Sequence, residues 1–119
     1  MEDRSQVKAV ILKFFEALNI DDAGDVPLAK DVEYYGMLSP APICGESEVR
    51  DHIQQIAPFM ENEKYGRLII EDGSVAVMAE FDSVNGLHNE GAFFFEVHDG
   101  LLAEVRAIFD TRRMFEGKK

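Results

Sequence analysis

The sequence has little cysteine, little positive charge and no long apolar run. Each of these shortages excludes some classes of structure or function for the protein. Cys44 is the only cysteine among 119 residues, which excludes an internal disulfide and any metal cluster built from several cysteines. Lys and Arg number 12 against 23 Asp and Glu, a formal net charge of −11. We therefore expect no nucleic-acid partner and no membrane partner, and we expect anionic substrates to be repelled unless their site is locally basic. No apolar run approaches the roughly 20 residues that span a bilayer.

The composition that remains is that of one globular domain. Hydrophobic residues make up 46% and charged residues 29%, so residues 1–119 are predicted to form a single domain with its own core. The first four residues are acidic and polar, unlike a secretory signal, and a cytoplasmic location is expected. The chain has no Gly-rich phosphate loop, and its three histidines lack zinc-ligand spacing, so we expect no cofactor and no metal.

Hydrophobic periodicity predicts two helices and a series of strands. The first helix is predicted to begin at Ser5 as N-cap, and its apolar positions recur at helical spacing. The second is predicted from about Glu46 to near Pro58, because a helix interior excludes proline. Residues 25–30 permit at most a turn or two of helix. Residues 32–36, 68–70, 74–84, 91–97 and 101–109 read as strands, so the chain is predicted to be an α+β protein.

Both faces of the predicted sheet are partly apolar. One face carries Val75, Val77, Ala79, Phe81 and Phe94, and the other carries Ala76, Met78, Phe93, Phe95, Val105, Ala107 and Phe109. Two helices can cover one face only, and a second copy of the chain is the simplest cover for the other. We therefore expect a homodimer whose interface uses Phe81, Phe94 and Ile108.

Four segments carry a family resemblance through their order and spacing. They are residues 14–19, 31–34, 45–50, and 95–100 running into 105–110. With these segments the chain resembles the nuclear transport factor two-like, or SnoaL-like, superfamily of ketosteroid isomerases, polyketide cyclases and limonene epoxide hydrolases. The resemblance implies a cone-shaped, curved, mixed or antiparallel sheet wrapped around the N-terminal helix, with the second helix closing an apolar cavity. Residues 34–45 and 106–110 look most like the epoxide hydrolases.

The catalytic residues of those relatives are mostly missing here. The helix tyrosine of the ketosteroid isomerases corresponds to Phe14, and their general-base aspartate falls near Tyr34. Of the Asp-Arg-Asp set of the epoxide hydrolases, the first aspartate matches Asp82. The arginine falls at Glu80 and the second aspartate at Ala107, whereas the tyrosine that helps hold the water matches Tyr34.

The resemblance also assigns which face of the strand at 74–84 lines the cone. It places Glu80 and Asp82 inside, roughly 6.5–7 Å apart along the strand. Burial and mutual repulsion would raise the pKa of one carboxyl, which predicts an acid/base pair with Asp82 as base and Tyr34 orienting a water or a substrate oxygen. The alternatives are that both carboxylates lie in solvent, at the strand end or on the outer face, and that Tyr34 is a core tyrosine.

The predicted ligand pocket is apolar. It is lined by Phe14, His52, Met78, Phe93, Phe95, Val105, Ala107 and Phe109. His52 flanks the apolar stripe of the second helix, so its imidazole either faces the cavity or lies half-buried at the surface. An aromatic cup with few polar groups suits hydration, cyclisation or isomerisation of a small, neutral, apolar compound. The loss of the relatives' catalytic sets also fits a ligand-binding module without turnover, and the apolar outer face fits a protein-interaction domain.

Overall fold

The computed structural model describes residues 2–36, 41–84 and 86–109. Its two α-helices are α1 (Arg4–Ile20) and α2 (Glu46–Ile56), and a single 3₁₀ turn, Ala57–Phe59, follows α2. The strands are β1 (Leu28–Tyr35), β2 (Ile43–Cys44), β3 (Met60–Tyr65), β4 (Ile69–Glu71), β5 (Ser74–Ser83), β6 (His88–His98) and β7 (Leu101–Phe109). They form one sheet in the order β2-β1-β7-β6-β5-β3, with β4 also pairing with β5. The β1–β7 pair is parallel and the other pairs are antiparallel, which confirms the predicted α+β class with a mixed sheet.

Helix α1 lies against the interior face of the sheet. Its apolar stripe is buried as predicted, but its N-cap is Asp3 rather than Ser5. The Asp3 carboxylate accepts hydrogen bonds from the backbone N–H groups of Ser5, at 2.8 Å, and Gln6, at 3.2 Å, so the helix begins earlier than predicted. Asp21 ends the helix in the left-handed conformation, with φ 57°.

The segment between α1 and β1 forms turns rather than a helix. Arg50 of α2 holds it in place, because one guanidinium nitrogen donates to the carbonyl oxygens of Ala23, Gly24 and Val26 at 2.6, 3.1 and 3.0 Å. The N–H of Leu102 in β7 donates to the carbonyl of Pro27 at 2.7 Å, which aligns the start of β1 with β7. These hydrogen bonds satisfy backbone carbonyl oxygens that, in a short helix, would accept hydrogen bonds within the helix.

Aromatic rings fill the space between α1 and the sheet. The ring centroid of Phe14 lies 5.5 Å from that of Phe93 and 5.1 Å from that of Phe95, in edge-to-face geometry. Phe15 contacts the same two rings at 5.6 and 6.0 Å. These side chains are buried, and they build the core around which the sheet curves.

The predicted facing of β5 is wrong. Val77 pairs with Phe93 across the sheet and is 3% exposed, whereas its neighbour Met78 is 64% exposed. Because alternate residues of a strand point to opposite faces, Glu80 and Asp82 share the outer face with Met78. The odd-numbered and the even-numbered residues of β5 are both apolar over most of the strand. The sequence of β5 therefore does not decide which of the two sets faces the interior, and its pairing with β6 does.

The outer face of the sheet is partly apolar as predicted, but its membership differs. Phe81 is 1% exposed and packs inside against Phe109, with ring centroids 5.2 Å apart, so it cannot belong to an outer interface. Phe94 and Ile108 are exposed, together with Met78. Within the described residues, no helix is both long and apolar enough to cross a membrane.

Candidate functional site

The structure gathers most of the predicted pocket residues on the interior face of the sheet. Phe93, Phe95, Val105 and Ala107 are buried there, and Phe109 contacts Phe93 with ring centroids 5.5 Å apart. Phe14 meets them from α1, and Tyr34 of β1 pairs with Val105. Met78 is the exception, because it lies on the outer face. That this interior binds a ligand remains a prediction.

Tyr34 and His52 form a polar pair at the junction of β1 and α2. Their ring centroids lie 4.7 Å apart, edge to face. Burial raises the pKa of the Tyr34 phenol well above its ordinary value, and burial lowers the pKa of the half-buried His52 imidazole. A Cβ at Gly36 would lie 3.1 Å from the Tyr34 ring and 3.6 Å from Nε2 of His52, so the packing around the pair is tight. At neutral pH the pair is uncharged, with a phenol that can donate and an imidazole that can accept.

Glu80 and Asp82 do not form the predicted acid/base pair inside a cup. Both side chains are more than a third exposed and face His88 of β6, whose Nδ1 lies 3.0 Å from an Asp82 oxygen and whose Nε2 lies 3.9 Å from a Glu80 oxygen. Hydrogen bonds from His88 and Asn62 lower the pKa of Asp82, whereas the prediction required burial and mutual repulsion to raise the pKa of one of the two carboxyls. The same Asp82 hydrogen bond raises the pKa of His88. This cluster is a solvated ion-pair network on the outer face.

A groove that the sequence did not predict lies between α1 and β3. Its volume is about 410 Å³, and it is lined by Leu12, Phe15, Glu16, Asn19, Glu63 and Tyr65. The Tyr65 ring stacks on Phe15 with centroids 4.3 Å apart and planes 11° from parallel. Because Phe15 also touches the interior aromatic cluster, the groove lies at the rim of the core.

Glu63 enters this groove because of a bulge in β3. Glu61 pairs with Asp82 and Lys64 pairs with Glu80, so Asn62 and Glu63 together lie opposite the single residue between those two partners. Asn62 takes the left-handed conformation, with φ 52°. Such a bulge re-aims side chains, and bulges occur often beside active sites.

The environment of Glu63 disfavours its negative charge. The side chain is half-buried, and its Oε1 is buried without a hydrogen-bond partner among the described residues. Burial raises the pKa of Glu63 above its ordinary value, the negative charge of Asp21 adds to the increase, and a hydrogen bond from its own backbone N–H partly offsets it. A carboxyl with a raised pKa in a groove is a common feature of sites that transfer protons.

The sequence offered only a weak indication of this groove. Residues 60–65 read Met-Glu-Asn-Glu-Lys-Tyr, which lacks the apolar alternation that marks a strand. The segment between Pro58 and Gly66 is long enough for an edge strand, and an apolar residue stands at each end of it. Within residues 2–36, 41–84 and 86–109, no three His, Cys, Asp or Glu side chains are placed to hold a metal ion.

Solved structures share this architecture over nearly the whole chain. A nuclear transport factor two-like protein from Burkholderia xenovorans is 16% identical, with a TM-score of 0.76 and 100% of both chains covered. A steroid delta-isomerase from Pseudomonas aeruginosa is 14% identical, with a TM-score of 0.79, covering 92% of this chain and 82% of that one. SalBIII, an epoxide hydrolase/cyclase-like enzyme with a role in pyran ring formation in the polyether salinomycin, is 14% identical, with a TM-score of 0.78, covering 95% and 97%.

The chain therefore has the nuclear transport factor two-like cone fold, as the sequence resemblance implied. No protein-family model matches the chain, and no curated protein matches it significantly. At these identities the likeness shows the fold, which hosts unrelated activities, so the function has to be argued from the site.

Proposed function

We propose that the protein binds a small, largely apolar, neutral compound in the groove between α1 and β3, and that Glu63 transfers a proton on that compound. The observation that carries the proposal is the half-buried Glu63 carboxyl, turned into the groove by the β3 bulge, with a raised pKa and a buried oxygen that has no described partner. Phe15 and Tyr65 supply an aromatic wall beside it. The groove is lined by three apolar or aromatic residues and three polar ones, and apolar walls with a few polar groups are the usual composition of a small-molecule site.

One carboxyl with a raised pKa favours an isomerisation over a hydration. Hydration of an epoxide needs one group to activate water and a second to protonate the epoxide oxygen. An isomerisation needs only a single base, which removes a proton from one carbon and returns it at another. The raised pKa makes ionised Glu63 a stronger base than a solvated glutamate. A bound substrate would displace water from the groove and raise the pKa of Glu63 further.

In the proposed step, Glu63 moves one proton between two carbons of the substrate, with no net gain or loss of protons. The Glu63 carboxylate takes a proton from the carbon next to a substrate carbonyl, and the C–H electron pair moves into the dienolate. Asn19 lines the same cavity and supplies an amide N–H that can donate to the developing oxyanion. The proton then returns from the Glu63 carboxyl to the far end of the conjugated system. The fold-sharing steroid delta-isomerase and epoxide hydrolase/cyclase-like enzyme support proton-transfer chemistry on an apolar compound as the proposed class.

The test uses a β,γ-unsaturated cyclohexenone, whose conversion to the conjugated isomer is followed by ultraviolet absorbance. The variant is Glu63→Gln, which keeps the shape of the side chain but cannot transfer the proton. Glu61→Gln is the matched control, because Glu61 is exposed two residues earlier on the same strand and does not line the groove. We expect Glu63→Gln to lower kcat/KM by about 100-fold or more, the usual contribution of a general acid or base, and Glu61→Gln to leave it unchanged.

The alternative function is ligand binding without turnover, which the loss of the catalytic residues of the resembled enzymes favours. Stabilisation of the protein by the ketone in a thermal melt, with no conversion by the wild type, would support this alternative. Conversion at the same rate by wild type and Glu63→Gln would contradict the proposed role of Glu63.

A homodimer through the outer sheet face remains our proposal, with a corrected set of contacts. Met78, Phe94 and Ile108 are exposed apolar side chains on that face, at 64, 43 and 56% exposure. Phe94→Asp would place a charge at its centre. We expect sedimentation at micromolar concentration to show a dimer for the wild type and a 13.4 kDa particle for the variant; a wild type that sediments only as the smaller particle would contradict the dimer.

A further inference from the structure

A second cavity continues along α1 from the Glu63 groove. Its volume is about 500 Å³, and it is lined by Arg4, Lys8, Leu12, Tyr65, Gly66, Arg67, Leu68 and Ile70. Leu12 and Tyr65 line both cavities, so the two form one trough with a shared apolar middle. The exposed edge of α1 provides one wall, because its residues 4, 8, 12 and 16 follow one another at intervals of about one turn.

The second cavity is positively charged in a strongly negative protein. Three of the 12 Lys and Arg residues line it, and no Asp or Glu of the described residues does, although the chain carries a net charge of −11. An anion is therefore repelled by the molecule as a whole but attracted to this one end of the trough. The Glu63 end has the opposite character, because Glu16 and Glu63 line it.

The cationic side chains form no ion pair within the part of the chain that the structure describes. A guanidinium nitrogen of Arg4 donates to the backbone carbonyl of Ile70 at 3.1 Å, which fixes Arg4 across the end of the cavity without using its charge. Lys8 and Arg67 form no ion pair with a described residue. Side chains of this kind bind carboxylates well, with lysine as a point charge and arginine as a fork of N–H donors.

We infer that the trough takes an elongated amphipathic carboxylate, with the carboxylate held by Arg4, Lys8 and Arg67 and the apolar chain lying across Leu12 and Tyr65. Lys8 and Glu16 are eight residues apart on α1, about 12 Å along the helix axis. A ligand of that length with a neutral oxygen at its far end would reach the Glu63 groove. This last step rests on the proposed function and narrows it, since the compound on which Glu63 acts would be neutral at its reacting end and carry its one charge at the anchoring carboxylate.

Octanoate and its uncharged counterpart octanol are the probes for this inference, with binding measured by calorimetry on the full chain. We expect octanoate to bind more tightly than octanol, and Lys8→Gln or Arg67→Gln to weaken octanoate binding by about 1.4- to 5-fold each, the range for one exposed charge pair. Lys13→Gln is the matched control, because Lys13 lies on the same helix and lines neither cavity. Salt should weaken octanoate binding and leave octanol binding unchanged, because the Debye length falls from about 30 Å at 0.01 M to about 3 Å at 1 M.

Equal affinity for octanoate and octanol, or an equal loss in Lys8→Gln and Lys13→Gln, would overturn the inference. Its failure is separable from that of the proposed function. A protein that isomerises the cyclohexenone but does not prefer octanoate retains the role of Glu63 and loses the carboxylate anchor. A protein that binds octanoate as predicted but converts no ketone retains the anchor and loses the catalytic role.

Discussion

Phe94 and Phe95 offer a matched test of which sheet face is the core, because they are neighbours of the same residue type on opposite faces of β6. Phe95 is 1% exposed, and its ring centroid lies 5.1 Å from that of Phe14 and 5.7 Å from that of Phe93. Phe94 is 43% exposed. Replacing each by alanine removes the same atoms from two different environments.

The expected losses of stability differ several-fold. Truncating a buried phenylalanine to alanine costs about 3–5 kcal/mol, because the cavity adds to the lost transfer free energy. Full burial of such a side chain contributes about 1.5–3 kcal/mol. Phe94 is 43% exposed, so truncating it should cost a little more than half of that, about 0.9–1.7 kcal/mol. Phe95→Leu should lie between the two alanine variants, and it keeps the comparison possible if Phe95→Ala leaves too little stability to fold.

Urea unfolding followed by circular dichroism measures these differences, provided that the slope of the free energy against urea is unchanged. Equal losses for the two alanine variants, or a larger loss for Phe94→Ala at a concentration where the protein is monomeric, would refute the assigned facing of the sheet. A loss for Phe94→Ala that grows with protein concentration would instead report the proposed homodimer.

Three further outcomes follow from the contacts. Arg50→Ala should cost about 1.5–3 kcal/mol in urea unfolding, since a charged donor to three carbonyls is lost. Arg106→Ala, which breaks the exposed ion pair with Glu104, should cost less than Arg50→Ala, because solvent screens that pair. Asp82→Asn should bring the pKa of His88 down toward 6.5 in a proton NMR titration, and an unchanged pKa would show that the hydrogen bond does not form. Because folding raises the pKa of Glu63, stability should fall as pH rises from 4.5 through the folded pKa, so Glu63→Gln should melt higher than wild type at neutral pH and not at pH below 4.

The sequence predicts the helices and the fold better than it predicts the site. The apolar stripes of α1 and α2 and the order of the family segments were sufficient for the architecture, because helical periodicity is a local property. The facing of β5 is not local. Val77 and Met78 are both apolar, and only the pairing of Val77 with Phe93 turns Met78 outward and takes Glu80 and Asp82 with it.

The groove escaped prediction for a different reason. The edge strand β3 is mostly polar and shows no alternation of apolar and polar residues, so the hydrophobic pattern of the sequence does not predict it. The inward turn of Glu63 arises from one extra residue in the pairing of β3 with β5, which is a property of register rather than of composition. Tyr34 and His52 were predicted from resemblance and spacing, and the structure places them together, but their catalytic or binding roles remain predictions.

The proposed function requires the fold to place the Glu63 carboxyl in the groove between α1 and β3 and to make it a stronger base than a solvated glutamate. The most direct measurement is a carbon NMR titration of the Glu63 side-chain carboxyl in the wild-type protein, with the signal assigned by its disappearance in Glu63→Gln. We expect a pKa above 4.5, the ordinary value, because burial and Asp21 both disfavour the charged form. A pKa at or below 4.5 would show that Glu63 is solvated or paired, and the groove would then lack the group on which the proposed function depends.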